Sequence, residues 1–387
     1  MDITTSDTQQ VMVRCSIYRG GTSKGVYIHR NQLPADTLTR DKVILAIYGS
    51  PDIRQIDGLG GADPLTSKVA VVGPPTRPGT DVDYLFGQVS ITKPFIDYRG
   101  NCGNISSGIG PFAINEGMVE PVEPITKVRI HQVNTNRIII AEVPVVGGKA
   151  AVEGDYEISG VPKPGARIGL DFADSSGSAT GKLFPTGNVM DELKVDSVGR
   201  IEVSIVDAAN PVVFCRMIDV GLKGTETPSE IDSNRDLSNH IEDIRATATE
   251  LIGMVKDRKR AAAESPFIPF LAMVSEPITY KTFTTGATIK ADDIDLTSRL
   301  CFMQQVHKAY PVTGTICTGV ASKIPGTIPN QMLSDIGKRS EEIHIGHPAG
   351  QITVEVNVQK VNSDFKVNRA LVGRTARHIM DGYVYVP

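Results

Sequence analysis

Two stretches of this chain run through the same order of residues, which constrains it to fold as two related units. Residues 97–114 read DYRGNCGNISSGIGPFAI and residues 309–326 read AYPVTGTICTGVASKIPG. Each sets a cysteine, Cys102 or Cys317, just ahead of a run of small residues. Each then leads into a strand-like pair, VRIHQVNTNRIIIAEV in the first half and IHIGHPAGQITVEV in the second. His131 and His347 follow their cysteines at almost the same distance. One supersecondary unit used twice is the simplest source of such a pattern.

The 387 residues and 40% hydrophobic content suffice for two cores without a disulfide or structural metal. The strand signal dominates: β-rich runs at 11–18, 25–28, 68–72, 84–89, 128–132, 138–143, 201–206, 212–220 and 352–358 alternate with Gly/Pro turns. Helices are expected at 39–48, at 106–116 with Asn104 as cap and Gly117 as stop, at 317–324, and at 369–380. The longest amphipathic stretch, 237–263, ends on Lys256, Arg258, Lys259 and Arg260. Cations suit a last helical turn, so these read as a solvated helix end rather than a binding patch. The loop-rich region 147–199 marks the junction. It divides an N-terminal domain at 11–195, completed by 375–387, from a C-terminal domain at 196–374. Residues 1–10 form a polar tail.

A net charge of −4 with both signs dispersed, and only 5% aromatics, argue against nucleic acid or an anionic membrane as partner. Five scattered cysteines without a CxxC pair read as free thiols, and the acidic start is not a signal peptide. The expected location is therefore the cytoplasm. The seven histidines do not fall at ligand spacings, and no nucleotide fingerprint is present, so neither a metal nor another cofactor is expected.

Three Gly-rich segments carry chemistry. In 101–104, Asn-Cys-Gly-Asn, the cysteine precedes a helix start, where Ser106 and Ser107 add donors. Cys102 is either a buried structural thiol or a proton carrier activated by the helix end. In 58–68, Lys68 opens an apolar strand after a flexible loop. It either snorkels to water or enters a pocket, where desolvation makes it a general base. In 18–25, Arg19, Gly21, Thr22 and Ser23 offer backbone amides and side-chain donors to a carboxylate, or form an ordinary basic turn.

Taken together, RGGTSKG (19–25), GGADPLTSK (60–68), DVDYLFGQVSI (81–91) and GNCGN (100–104) resemble the PrpF family of the diaminopimelate-epimerase-like superfamily, from residue 11 to the C-terminus. The resemblance implies two similar α/β domains, each a curled, mostly antiparallel sheet around a central helix, with the active site in the cleft between them. It also implies a cofactor-independent isomerase that shifts a C=C bond by 1,3-proton transfer in an unsaturated di- or tricarboxylate. Aconitate, 2-methylaconitate, 3-methylitaconate and 4-oxalomesaconate are of that type. The family's catalytic lysine falls on Lys68 and its catalytic cysteine on Cys102. Substrate-binding roles fall on Arg19, Gly21, Thr22, Ser23, Asn104, Ser106, Ser107, Cys317, Thr318 and Gly319. The C-terminal GYVYVP is expected to return to the first domain's sheet, and a homodimer or tetramer is compatible. Two rivals remain at this level: an amino-acid racemase or epimerase working with Cys102 and Cys317, and a non-catalytic polycarboxylate-binding partner of a dehydratase.

Overall fold

The computed structural model describes residues 10–362 and 364–387; the tail expected over 1–10 lies almost wholly outside them. The chain divides into two compact units, 1–170 with 374–387, and 171–373. The first therefore closes at Leu170, well before the expected boundary at 195, because the loop-rich stretch that follows packs with the second unit.

The longer strands of the first unit are β1 (Val11–Gly20), β2 (Ser23–His29), β3 (Lys68–Gly73), β4 (Val82–Val89), β5 (Ile125–Gln132) and β6 (Arg137–Val146). Those of the second are β7 (Asp191–Val195), β8 (Gly199–Ala208), β9 (Asn210–Arg216), β10 (Phe270–Ser275), β11 (Leu296–Phe302), β12 (Glu342–His347), β13 (Gly350–Val361) and β14 (Asp364–Arg374). The last strand, β15 (Ala376–Val386), pairs antiparallel with β1 along its whole length, Val11 opposite Val386 and Gly20 opposite Ala376. GYVYVP thus lies in the first unit's sheet.

The two ladders match step for step. In the first unit β15/β1 and β1/β2 are antiparallel, β2/β3 parallel, β3/β4 antiparallel, β4/β5 parallel and β5/β6 antiparallel. In the second, the pairs from β7/β8 to β12/β13 repeat that order. The C-terminal strand therefore occupies in the first unit the place that β7 occupies in the second. Parallel neighbours need a crossover, and helices supply it in both units. Helix α1 (Thr37–Tyr48) links β2 to β3, and α2 (Gly103–Ser106) with α3 (Ile109–Asn115) link β4 to β5. Helix α4 (Arg235–Leu251) links β9 to β10, and α5 (Val312–Ser322) links β11 to β12.

Helix α1 begins where the Asp36 carboxylate accepts from Thr39 N at 2.8 Å. It packs Ile44, Ile47 and Tyr48 on Val13, Val26, Ile28, Val69 and Val71. Helix α4 lays Ile241, Ile244 and Ala248 on the second sheet. Every residue of α5 is buried, and so is α3 up to Ile114. That position suits helices of small apolar residues, which let strands approach closely.

Four expected helices differ from those observed. The helix foreseen at 106–116 is two pieces, because Pro111 has no N–H for the Ser107 carbonyl and its ring crowds that carbonyl. The N-cap is Cys102, not Asn104. The stretch 237–263 leaves the α-helix at Leu251, where Gly253 at φ +74° stops it. Its basic end follows as a separate turn, with Arg258 paired to Asp196 at 3.0 Å and Arg260 to Glu264 at 2.7 Å. Cys317 lies in the middle of α5, which starts five residues earlier than foreseen. Residues 369–380 are β14 and β15, since pairing with β13 and β1 overrides a locally helical composition.

Removing residues 382–387 strips residues 11–15 of β1 of their partner and uncovers Val13 and Cys15, which pack with Val384 and Val386. A loss of about 3 kcal/mol should lower the melting temperature by about 6–12 °C, measurable by calorimetry.

Candidate active site

Lys68 is the first residue of β3 and is 2% exposed. Its carbonyl accepts from the Tyr48 hydroxyl. The Cβ that Gly25 lacks would lie 2.5 Å from that same carbonyl oxygen, so the strands meet only because residue 25 is glycine. The side chain reaches into the unit, where Nζ donates to Gln88 Oε1 at 2.7 Å and lies 5.6 Å from the centroid of the Phe86 ring. Burial lowers its pKa below the ordinary 10.5, and the neighbouring Cys102 thiol, in hydrogen-bonding contact with the amine, works in the other direction. The site thus sets a buried amine beside a buried thiol.

Cys102 takes extended backbone (φ −115°, ψ 99°) as the N-cap of α2 and is 7% exposed. The turn after it is knitted internally. Ser106 N donates to the Cys102 carbonyl at 2.8 Å, Ser106 Oγ to Asn101 Oδ1 at 3.2 Å and Ser107 Oγ to the Asn104 carbonyl at 2.6 Å. Both serine hydroxyls donate within the turn that sets the cysteine, so their first role is to hold it. The Asn104 side chain, foreseen as a helix cap, instead spans to the β1–β2 turn. Its Nδ2 donates to Thr22 Oγ1 at 3.1 Å and its Oδ1 accepts from Thr22 N at 3.4 Å.

That turn is the third wall. Arg19 donates to the carbonyls of Gly21 (2.9 Å) and Thr375 (3.0 Å), so it braces the loop, and burial lowers its pKa. Gly21 N also donates to Thr375 O at 2.9 Å. Gly21 needs its glycine twice over: φ is +51°, and a Cβ would fall 2.0 Å from Asn104 Oδ1. The Ser23 hydroxyl is buried and makes no hydrogen bond among the described residues. Arg374 packs its side chain against the same turn, and burial lowers its pKa to about 10.

The structure thus brings Lys68, Cys102, Asn104, Ser106, Ser107, Arg19, Gly21, Thr22 and Ser23 together in the first unit. Sequence reasoning missed Gln88, Arg374 and Thr375 there; only cross-strand register exposes the first, and the strand return at the C-terminus the other two. Cys317, Thr318 and Gly319 belong to the second unit, inside α5. Cys317 Sγ donates to the Val206 carbonyl at 3.1 Å, and burial pushes its thiol far above the ordinary range. Thr318 Oγ1 meets the Tyr310 hydroxyl at 3.0 Å, and Gly319 makes room for Val354 and Val356. These three residues serve the interior of α5 and are not at a helix start as foreseen. Among the described residues no three His, Cys, Asp or Glu side chains converge as a metal site, and no helix is long and apolar enough to cross a membrane.

A duplicated unit of this ladder order, with a central buried helix, defines the diaminopimelate-epimerase-like fold. It recurs in a crystal structure of a hydroxyproline epimerase from Agrobacterium vitis (TM-score 0.56 at 12% identity, 97% of this chain and 92% of that one). The family model described as PrpF protein matches residues 10–387, and the chain belongs to that family. It is 55% identical over 379 residues to the 3-methylitaconate isomerase of Eubacterium barkeri, covering 98% of each. A crystal structure of methylitaconate-delta-isomerase superposes with TM-score 0.82 at 54% identity, over 98% of this chain and 96% of that one. The chain is an isomerase.

Gly21→Ala should both strain the turn, by about 1–2 kcal/mol, and displace Asn104. Gly79→Ala shares the positive φ (+79°) but meets open space. Calorimetry should show both variants destabilised, whereas turnover assays should show a raised KM only for Gly21→Ala.

Proposed function

We propose that this isomerase moves a C=C bond by a 1,3-proton shift in a small unsaturated di- or tricarboxylate of the methylitaconate or methylaconitate type. Contact between the buried Lys68 amine and the Cys102 thiol carries the reading. The neutral amine takes a proton from the carbon next to the double bond, and the electron pair left behind shifts through the allyl system. The Cys102 thiol delivers a proton to its far end. The ammonium on Lys68 then returns a proton to the Cys102 thiolate through the contact they share, which restores both groups with no net consumption. Between the two transfers the substrate carries extra negative charge on an allylic carboxylate. Fixed donors around that charge lower the barrier because they need no reorganisation. In this reading the buried Ser23 hydroxyl and the cations Arg19 and Arg374 supply that field. Cys317, whose thiol is held at Val206 and resists ionisation, is a poor partner for a two-cysteine racemase.

Proton NMR in D₂O with 3-methylitaconate, 2-methylaconitate, aconitate and 4-oxalomesaconate should show conversion of at least one, with deuterium entering at the allylic carbons. Exchange at the α-carbon of amino acids, with none of these acids converted, would overturn the reading. Lys68→Ala and Cys102→Ser should each lower kcat by about 10²–10⁴-fold with the fold intact by circular dichroism. Cys317→Ser should have a much smaller effect.

The pH dependence has a definite sign. Burial lowers the Lys68 pKa from 10.5, so the active neutral amine appears at a lower pH than for a free lysine. The kcat/KM profile of the wild type should rise with pH along a limb centred below 10.5, and Lys68→Ala should lack that limb. Exhaustive EDTA treatment should leave the rate unchanged, since no step asks for a metal.

A further inference from the structure

The Gly-rich loop that leads to Lys68 carries the carboxylate of Asp63, a half-buried residue pinned from several sides. Ahead of it, Ala62 N donates to Gln55 Oε1 at 2.8 Å. Its own carbonyl accepts from Thr66 N at 3.0 Å and from Thr66 Oγ1 at 3.1 Å. Its Oδ1 accepts from Leu65 N at 2.8 Å, the local turn that aspartate favours. Beyond it, Leu65 O receives Lys24 N at 2.9 Å, which ties the loop to β2.

Gln88 joins this turn to the amine. It stands opposite Lys68 in the β3/β4 ladder and is 1% exposed. Its Nε2 donates to the carbonyls of Pro64 (3.1 Å) and Ser67 (3.0 Å), while its Oε1 accepts from Lys68 Nζ at 2.7 Å. The residue next to Asp63 and the lysine nitrogen therefore meet on one amide group. With Oδ1 held at Leu65 N, the place of the carboxylate relative to the nitrogen is set by these bonds and not by a loose loop.

The other elements packed on Lys68 bring little charge. Strand β2 faces it with Gly25, and β4 with the uncharged Gln88 and Phe86. The end of α1 brings the Tyr48 hydroxyl, whose pKa burial raises, and α2 brings the Cys102 thiol. Burial lowers the lysine pKa, and the charges of Cys102 and Asp63 oppose it. Those two charges differ in timing. In the turnover proposed above, Cys102 gives up its proton only after Lys68 has gained one, so the new ammonium first stands beside a neutral thiol. A carboxylate carries its charge through that step.

We propose that Asp63 is a positioning residue for the proton transfer, acting through Lys68: a carboxylate fixed in its turn that supports the protonated amine while Cys102 is still a thiol. This rests on the reading of Lys68 as the base. Desolvation alone would make the amine easy to deprotonate but weak as a base, and a nearby negative charge restores its strength.

The pH profile of kcat/KM tests it. In Asp63→Asn the side-chain oxygen can still accept from Leu65 N, but the charge is gone. The limb assigned to Lys68 should then move to lower pH. On the steep part of that limb kcat/KM should change about tenfold for each unit of the move, and the plateau should fall because the amine is a weaker base. Asp63→Glu restores the charge and should bring the limb back toward the wild-type position. Structural damage would lower the profile without moving its limb, and thermal melts report the fold separately. Should Asp63→Asn fail to fold, Asp63→Ser, which can form the same kind of turn, carries the same expectation. An Asp63→Asn limb that coincides with the wild-type one, with the limb absent from Lys68→Ala, would overturn the role of Asp63 alone. So would a limb moved as far by Asp63→Glu as by Asp63→Asn. A limb that survives in Lys68→Ala would overturn the reading of the lysine itself, and the role of Asp63 with it.

Discussion

The first unit is organised around a buried amine at the head of a strand. Placing an ammonium in a protein interior is costly unless its donors are met. The surroundings of Lys68 answer that demand with Gln88 Oε1, the Cys102 sulfur, the face of Phe86 and the nearby charge of Asp63. The loop leading to it is latched accordingly. Gln55 accepts from Ala62 N (2.8 Å) and Ser67 Oγ (2.9 Å) and donates to Ser50 Oγ (2.9 Å), which draws the Gly-rich segment against the end of α1. Tyr48, at that helix end, receives Val26 N and holds the Lys68 carbonyl, so the helix and strands β2 and β3 are set by a single hydroxyl.

Duplication accounts for the architecture, and divergence separates the settings of the two cysteines. The two ladders agree in order and direction, yet the cysteines that betrayed the repeat are not equivalent in it. Cys102 caps α2, whereas the residue capping α5 is Pro311, and Cys317 falls well inside the helix with its thiol spent on Val206. The periodicity of small residues was legible in the sequence because any helix surrounded by strands needs them. The register was not, because a helix start depends on which carbonyls and amides the neighbouring strands leave over.

A similar split runs through the site. Lys68, Cys102 and the turn at 19–23 stood out because glycines and an isolated reactive side chain are local signals. Gln88 did not, since an amide on a strand is unremarkable until the pairing with β3 shows what faces it. Arg374 and Thr375 were hidden for a more specific reason. The stretch 369–380 is rich in residues that favour helix, and a helix there would have carried both away from the β1–β2 turn. Only pairing with β1 makes the chain turn at Thr375 and lay its carbonyl on Gly21.

The second unit shows what happens to a polar loop when the protein supplies its own anion. The Gly/Ser-rich stretch before β7, DSSGSATGK, wraps around the buried carboxylate of Asp207. That group accepts from Ala179 N at 2.9 Å, Thr180 N at 2.7 Å, Thr180 Oγ1 at 2.8 Å and Ser178 Oγ at 3.1 Å. Burial raises the Asp207 pKa and these donors pull it back, so the loop's amides are already committed to an internal charge. Among the described residues the β1–β2 turn of the first unit hydrogen-bonds to backbone carbonyls and to the neutral amide of Asn104. Within that turn the Ser23 hydroxyl is buried and makes no hydrogen bond among the described residues. Two loops of similar composition therefore divide into one closed around a carboxylate of its own chain and one closed on neutral partners.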